Sequence, residues 1–172
     1  MPSMKLDAGS QFPEMDFHLV GGAMVSIGGA RERWTLFIVY RGKHCPKCKT
    51  YLNKLEAMKG DWEAAGFDIL VVSADPETKA KADLEEFGWT FPLAYGLSER
   101  QMEALGLYIS SPLSEAENDR NFAEPGHFCI SPSGVLQITC ISNGPAARPD
   151  LADLLAGMQF NIANQRPPRG LA

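Results

Sequence analysis

The sequence predicts an α/β protein with a central mixed sheet and helices on both of its faces. Short apolar runs at 35–40 and 67–73 have the length and β-branched content of buried strands, and each precedes a segment with helical periodicity. Two further runs, 127–131 and 135–140, flank a Pro-Ser-Gly turn at 132–134 and predict an antiparallel hairpin. The order β-α-β-α, then hairpin and closing helix, indicates one sheet built from neighbouring strands.

An N-terminal extension is predicted before the first of these strands. Gly21-Gly22 and Gly28-Gly29 separate short apolar pieces at 17–20 and 23–27. Glycine pairs between such pieces are typical of turns, so we expect a β-hairpin or an irregular decoration here.

Four helices are predicted from their start and stop signals. Proline suits a first helical position because its missing N–H has no partner there, and serine or aspartate caps a helix start. The predicted segments are 46–65, 75–87, 98–106 and one that begins at 149–150. Residues 110–124 are polar and lack periodicity, so they are expected to form a surface loop.

The segment Cys45-Pro46-Lys47-Cys48 connects the strand at 35–40 to the first helix. Free backbone N–H groups and the helix dipole favour a thiolate over a thiol at a helix N-terminus. Nearby cations act in the same direction, and the turn carries Arg41, Lys43, His44, Lys47 and Lys49. The segment therefore predicts a redox-active thiol at Cys45, with Cys48 about one helical turn away on the apolar side.

Composition argues against several function classes. The 172 residues, 45% of them hydrophobic, are enough for one domain over 1–172. A net charge of −5 disfavours nucleic acid or an anionic membrane as partner, and no apolar run is long enough to span a bilayer. Four cysteines are too few for a secreted disulfide scaffold, and residues 1–7 lack a signal-peptide core. A cytoplasmic setting is expected, where Cys-x-x-Cys is usually redox-active or metal-binding.

Four features in this order resemble one known superfamily. They are the strand-turn-Cys-x-x-Cys-helix at 36–65, the strand ILVVSAD at 69–75, the segment at 91–108, and Pro-x-x-Phe-x-Ile-x-x-x-Gly at 125–134. The chain resembles the peroxiredoxin superfamily, in the branch that groups alkyl hydroperoxide reductase with thiol-specific antioxidants (AhpC/TSA). The segment 40–48 is most similar to a peroxiredoxin-like bacterial subgroup. The resemblance implies a thioredoxin-like fold.

The chain departs from that family at its peroxide-binding motif. Established peroxiredoxins have Pro-x-x-x-Thr/Ser-x-x-Cys, in which the hydroxyl helps to orient the peroxide. Counting back from Cys45 gives Gly42 and Ile38 at these two positions.

The family's active-site arginine is also absent from its usual place, where this chain has Pro125. Peroxide activation then needs another cation, and Arg41 and Arg148 are the candidates. Arg41 is slightly favoured because its proximity to the cysteine does not depend on the tertiary structure.

The resemblance implies a thiol-dependent antioxidant enzyme that reduces hydroperoxides. Cys45 would be the nucleophile and Cys48 the resolving cysteine, with no metal or other cofactor. Thioredoxin, glutaredoxin or a small thiol would recycle it, and a second copy of the chain is an expected partner in a homodimer. Gly42, His44 and a cis Pro125 would form the substrate groove. His44 is interpreted equally well as a proton donor or as an exposed turn residue.

Three alternatives stay open at this point. A thioredoxin-type thiol-disulfide oxidoreductase is favoured by Cys-x-x-Cys and by the missing threonine and arginine. A non-catalytic redox sensor or partner-binding module is the second. The third is a zinc site completed by Cys129 and Cys140 or by a histidine. It is disfavoured, because a regular hairpin places Cys129 opposite Gln137 and Cys140 on the other face of the sheet.

Overall fold

The computed structural model describes residues 4–172. The expectation that no signal peptide is present concerned residues 1–7, and the first three of these lie outside the described residues. In chain order the strands are β1 (Met15–His18), β2 (Met24–Ile27), β3 (Trp34–Val39), β4 (Phe67–Val72), β5 (Leu93–Ala94), β6 (Ile109–Ser110), β7 (Phe122–Ala123), β8 (Gly126–Ile130) and β9 (Leu136–Ile141). The helices are α1 (Pro46–Ala64), α2 (Glu77–Phe87), α3 (Glu99–Ala104) and α4 (Leu151–Ala163).

A five-stranded mixed sheet in the order β5-β4-β3-β8-β9 forms the centre of the molecule. The middle strand β3 pairs in parallel with β4 and antiparallel with β8. Strand β3 has neighbours on both edges and is packed on both faces, so five of its six residues are buried. This explains why its sequence is continuously apolar rather than alternating.

The two faces of the sheet carry separate cores. On one face, Ile38 and Val71 pack with residues of α1, α2 and α4. On the other face, Phe37 packs with the β1–β2 hairpin and with Met102 of α3. Helices therefore lie on both faces, and the predicted N-terminal hairpin is confirmed, with β1 and β2 antiparallel.

Local signals set most helix boundaries close to the predicted ones, but α2 begins at Glu77, two residues later than predicted, after Pro76 and without a side-chain cap. Helix α1 begins at Pro46 directly after Cys45, and α2 is followed by Gly88 in the left-handed conformation, with φ 67°. Helix α3 has a capping box, in which Ser98 and Gln101 satisfy each other's free backbone N–H groups.

The prediction that 110–124 is a simple surface loop is wrong at its end. Strands β6 and β7 pair with each other, and Phe122 is buried because its ring joins the core beside the hairpin. Glu124 is also buried, and its carboxylate pairs with Arg41.

The predicted register of the β8–β9 hairpin is also wrong. A β-bulge between Cys129 and Ile130 adds one residue to the partner strand, so Cys129 lies opposite Ile138 and Cys140 lies opposite His127. Paired residues share a face, as do residues two apart in a strand. The two cysteines therefore lie on the same face of the sheet, and both are free thiols.

The cis peptide expected at Pro125 is not present, since residues 4–172 contain no cis bond. Pro125 lies immediately before β8, and its carbonyl accepts a hydrogen bond from the N–H of Ser142 at 3.1 Å. A trans, extended Pro125 thus continues the ladder to the chain that follows β9. Its place in a substrate groove remains a prediction.

We predict that Phe37→Ala lowers the free energy of unfolding by about 3–5 kcal/mol, because it removes a fully buried ring from the sheet centre. The Phe37 ring lies 5.7–6.0 Å from the rings of Phe12, Phe17 and Phe128. Urea denaturation followed by circular dichroism measures the loss. Phe160→Ala is the matched control, since that ring is 54% exposed and its loss should cost less than about 1 kcal/mol. Equal losses in the two variants would contradict the assignment of this core.

Candidate active site

The turn between β3 and α1 is built against a buried carboxylate. Gly42 has φ 134°, and a Cβ at this position would lie 2.9 Å from each carboxylate oxygen of Asp75. The backbone N–H of Lys43 donates to Asp75 Oδ2 at 2.7 Å. Glycine is needed at position 42 because of its positive φ and because a Cβ would collide with Asp75. The close approach of the backbone to this carboxylate positions the chain to enter α1 at Cys45.

The two cysteines form a disulfide, with their Cα atoms 5.3 Å apart. Cys45 is the N-cap of α1, and its Sγ accepts a hydrogen bond from the backbone N–H of Cys48 at 3.2 Å. This is the free helix N–H that favours a thiolate. Both side chains are buried, so Cys48 is shielded as expected and Cys45 is shielded as well.

Arg148 is the cation that contacts the sulfurs. Its Nη2 lies 3.0 Å from Cys48 Sγ and 3.9 Å from Cys45 Sγ. The guanidinium also lies over the ring of Tyr51, 5.0 Å from its centroid, and the Tyr51 hydroxyl donates to the carbonyl of Pro149 at 2.6 Å. Burial lowers the pKa of Arg148, but a guanidinium remains charged at neutral pH.

The preference for Arg41 over Arg148 is corrected by these contacts. The Nε of Arg41 lies 3.1 Å from Glu124 Oε2, and its Nη2 lies 3.6 Å from Glu117 Oε1. Its guanidinium also lies over the Phe122 ring at 4.9 Å. Sequence adjacency misled the prediction, because the buried carboxylate of Glu124 holds Arg41 away from the sulfurs.

Burial lowers the pKa of both histidines near the site. His44 is half-buried against the Phe122 ring, with centroids 4.6 Å apart, so it is not an exposed turn residue; its role as a proton donor remains a prediction. Burial and the charge of Arg41 lower the pKa of His44. His127 is buried opposite Cys140, with its ring 5.3 Å from that of Tyr51. Burial lowers the pKa of His127 to about 3.

A buried acidic cluster beneath the turn was missed by the sequence reasoning. Asp83 of α2 is fully buried, and its Oδ1 lies 3.7 Å from the Nζ of Lys43. Burial raises the pKa of Asp83 to about 6, while Lys43 acts to lower it. Burial also raises the pKa of Asp75. The available signal was the position of Asp83, which is three residues after Ala80 and four before Phe87 on the apolar face of α2.

The structure gives the zinc alternative no support. Among residues 4–172, no three potential ligands are grouped as a metal site requires. In the same part of the chain, none of the helices has the length and apolar character needed to cross a membrane.

Comparison with known proteins agrees with this geometry. A model of the AhpC/TSA family matches residues 8–139, which is more than half of the chain. The chain belongs to the AhpC/TSA family. The expected enzyme class, a thiol oxidoreductase with a redox-active cysteine pair, is confirmed at this level.

Solved structures of peroxiredoxin-like proteins share the fold of this AhpC/TSA protein. A peroxiredoxin-like protein from Aquifex aeolicus has a TM-score of 0.78 at 20% identity, over 92% of this chain and 90% of that one. AhpC from Enterococcus faecalis has a TM-score of 0.72 at 19% identity, over 94% and 97% respectively. At these identities the likeness shows the fold alone, and it confirms the predicted thioredoxin-like architecture.

One curated relative resembles part of the chain. The thiol-disulfide oxidoreductase ResA of Halalkalibacterium halodurans is 25% identical over 73 residues. The match covers 42% of this chain and 42% of ResA, so the chain spans less than half of the relative that it matches.

We predict that Asp83→Asn makes the protein more stable at pH 8 and changes little at pH 4. The folded-state pKa of about 6 exceeds the ordinary 3.8, so the folded protein binds this proton more tightly than the unfolded chain does. The stabilisation is fully present below about pH 4 and is lost as the pH rises through about 6. Asparagine keeps the neutral form, so the gain at pH 8 should reach about 3 kcal/mol at most.

Urea denaturation of wild type and variant between pH 4 and pH 8 measures this difference. Glu85→Gln is the matched control, because Glu85 lies on the same helix with an exposed side chain. A loss of stability for Asp83→Asn at pH 8 would show that the Lys43 pair outweighs the burial of the charge.

Proposed function

We propose that this protein reduces hydroperoxides through a Cys45 thiolate, with Cys48 as the resolving cysteine. The observation that carries the proposal is the guanidinium of Arg148 against both sulfurs of a helix-capping cysteine pair. The helix N–H and the guanidinium both favour the anionic form of Cys45, and only the thiolate attacks peroxide.

The proposed reaction has two steps. The Cys45 thiolate attacks the terminal peroxide oxygen, so an S–O bond forms, the O–O bond breaks, and the departing alkoxide takes a proton and leaves as an alcohol. This gives a sulfenic acid at Cys45. The Cys48 thiolate then attacks that sulfur, the S–S bond forms, and hydroxide leaves and is protonated to water. The Cα separation of 5.3 Å lies in the range of disulfides.

Arg148 supplies the charge that the family places elsewhere. The developing negative charge on the departing oxygen needs a positively charged or hydrogen-bonding group within reach, and Arg148 lies next to the attacking sulfur. Gly42, His44 and Pro125 complete the proposed substrate groove around the turn. Arg41 then has a supporting role, since it is ion-paired with Glu124 behind His44.

A thiol-disulfide oxidoreductase is the second candidate. The Cys-x-x-Cys pair, the partial match to ResA and the absence of the family's hydroxyl at Gly42 favour it. In this reaction Cys45 attacks a substrate disulfide, and Cys48 then releases the product by attacking the mixed disulfide.

We also propose a reducing, cytoplasmic setting with recycling by thioredoxin, glutaredoxin or a small thiol. The four cysteines, of which Cys129 and Cys140 are free thiols, support such a setting. The peroxiredoxin-like neighbours make a homodimer a further expectation.

We predict that the reduced protein reacts with hydrogen peroxide at Cys45 at least about tenfold faster than free cysteine at pH 7. A free thiol with a pKa of about 8.5 is only about 3% ionised at this pH. Stopped-flow mixing and mass spectrometry measure the rate and the site. Cys48→Ser should accumulate the sulfenic acid, seen as the gain of one oxygen.

Two variants control this measurement. Cys45→Ser should lose the fast phase, whereas Cys129→Ser should keep it, because burial raises the pKa of Cys129 to about 12. A reaction no faster than that of free cysteine, together with reduction of insulin disulfides, would replace the peroxidase proposal by the second candidate.

We predict that Arg148→Gln raises the pKa of the reduced Cys45 thiol by about one unit or more, because it removes the positive charge beside the sulfur. Arg41→Gln makes the same charge change and should alter this pKa much less. Both arginine variants and the parent protein are prepared with Cys48→Ser, so that Cys45 is the remaining active-site thiol. Thiolate absorbance during a pH titration reports the pKa of Cys45, and circular dichroism verifies the fold. A larger shift for Arg41→Gln would restore Arg41 as the stabilising cation.

A further inference from the structure

A basic groove opens beside the disulfide. Its volume is about 220 Å³, below the range of about 300–1,000 Å³ that is usual for drug-sized ligands. Three cations and one carboxylate line it, among apolar and backbone groups: Lys47, Lys54, Arg148 and Asp150. The carboxylate of Asp150 is engaged as the N-cap of α4, where it accepts from the N–H of Asp153. The groove is therefore positive in a chain whose net charge is −5.

Arg148 lines this groove without an anionic partner. No carboxylate among residues 4–172 lies within ion-pair distance of its guanidinium, and its Nε has no hydrogen-bond partner there. In the reduced protein a cysteine thiolate is its counter-charge. In the disulfide form both sulfurs are neutral, so a half-buried cation is left unpaired, which is unfavourable.

We propose that the groove binds the carboxylate of a small thiol, and that this anionic thiol is the reductant of the Cys45–Cys48 disulfide. This inference rests on the proposed function in one respect, that the disulfide must be reduced to complete a cycle. The carboxylate supplies the counter-charge that Arg148 loses on oxidation. Lys47 and Lys54 stabilise it further from the exposed rim.

Size and access favour a small molecule over a protein thiol. Both cysteines are buried, at 1% and 0% exposure, and Arg148 joins the groove to them, because its Nη2 contacts both sulfurs. We therefore expect the attacking sulfur to enter beside this guanidinium. A small thiol whose carboxylate engages Arg148 enters there with its sulfur close to the disulfide.

The exchange proceeds in two balanced steps. The thiolate of the reductant attacks Cys45 Sγ, so a mixed disulfide forms, the Cys45–Cys48 bond breaks, and Cys48 leaves as a thiolate. Arg148 Nη2 lies 3.0 Å from Cys48 Sγ, so its charge stabilises the thiolate that leaves. A second thiolate attacks the reductant's sulfur in the mixed disulfide and releases Cys45. Two thiols are thereby oxidised to one disulfide, and the protein gains two electrons.

The test compares mercaptopropionate, which carries a carboxylate, with mercaptoethanol, which is neutral. The disulfide form is prepared with a mild disulfide oxidant, so the assay does not depend on peroxidase activity. Each rate of reduction is expressed per thiolate and divided by the rate at which the same thiol reduces a small neutral disulfide, which removes differences in intrinsic reactivity. The preference is the ratio of these normalised rates, mercaptopropionate over mercaptoethanol. We expect a preference for mercaptopropionate of about threefold or more at low ionic strength, falling towards one near 1 M salt. A preference of one or less at low salt overturns the inference.

Matched variants locate the binding site. Lys47→Gln with Lys54→Gln should lower the preference at least about twofold, whereas Lys81→Gln, an exposed lysine of α2, should leave it unchanged. In parallel, S-methylated mercaptopropionate titrated into the disulfide form should shift the NMR signals of Lys47, Tyr51 and Arg148 amides saturably. A preference that survives the double variant, without these shifts, overturns the assignment to the groove.

The outcome separates the two proposals. If peroxide oxidises Cys45 no faster than free cysteine while the carboxylate preference is present, the peroxidase proposal fails and the groove remains a reductant site. If the peroxidase reaction is fast while mercaptoethanol is equally effective, the groove inference alone fails.

Discussion

The guanidinium of Arg148 against the two sulfurs is the interaction on which the proposed chemistry of this protein depends. Arg148 follows Cys45 by 103 positions and Cys48 by 100 positions in the chain. Their contact brings the N-terminal end of α4 to the start of α1. A helix N-terminus alone favours a thiolate modestly. The added charge, partly shielded from water by Tyr51 and the helix ends, makes the attraction stronger than at an exposed site.

The turn before Cys45 shows how this AhpC/TSA protein manages without the family's hydroxyl. Where established peroxiredoxins carry threonine or serine, Gly42 lets the backbone approach the carboxylate of Asp75, and a side chain would collide with it. Asp75 in turn accepts from the N–H of Lys43. The position thus serves to shape the turn, and under the proposed function the orientation of substrate falls to Arg148. This arrangement suits disulfide exchange as well as peroxide reduction.

The cations around the site differ in whether a carboxylate neutralises them. Arg41 and Lys43 are paired with carboxylates on the side of α2 and β7, so their charges are largely neutralised. Within residues 4–172, Arg148 contacts the two sulfurs and the Tyr51 ring and has no carboxylate partner at ion-pair distance. Under the proposed cycle, it would be ion-paired with a thiolate in the reduced protein and unpaired in the disulfide form. Under the groove proposal, redox state and anion affinity are coupled in this way.

The sequence by itself determined the strand-turn-helix that carries Cys45, the end of α2 at Gly88 and the α/β fold class. These features depend on proline, glycine and apolar periodicity, which act over a few residues. Only the tertiary structure decided which arginine reaches the sulfurs, how the bulge at Cys129 sets the hairpin register, and that Pro125 is trans. Each of these depends on partners distant in the chain, such as Glu124 for Arg41, whose proximity no local pattern records.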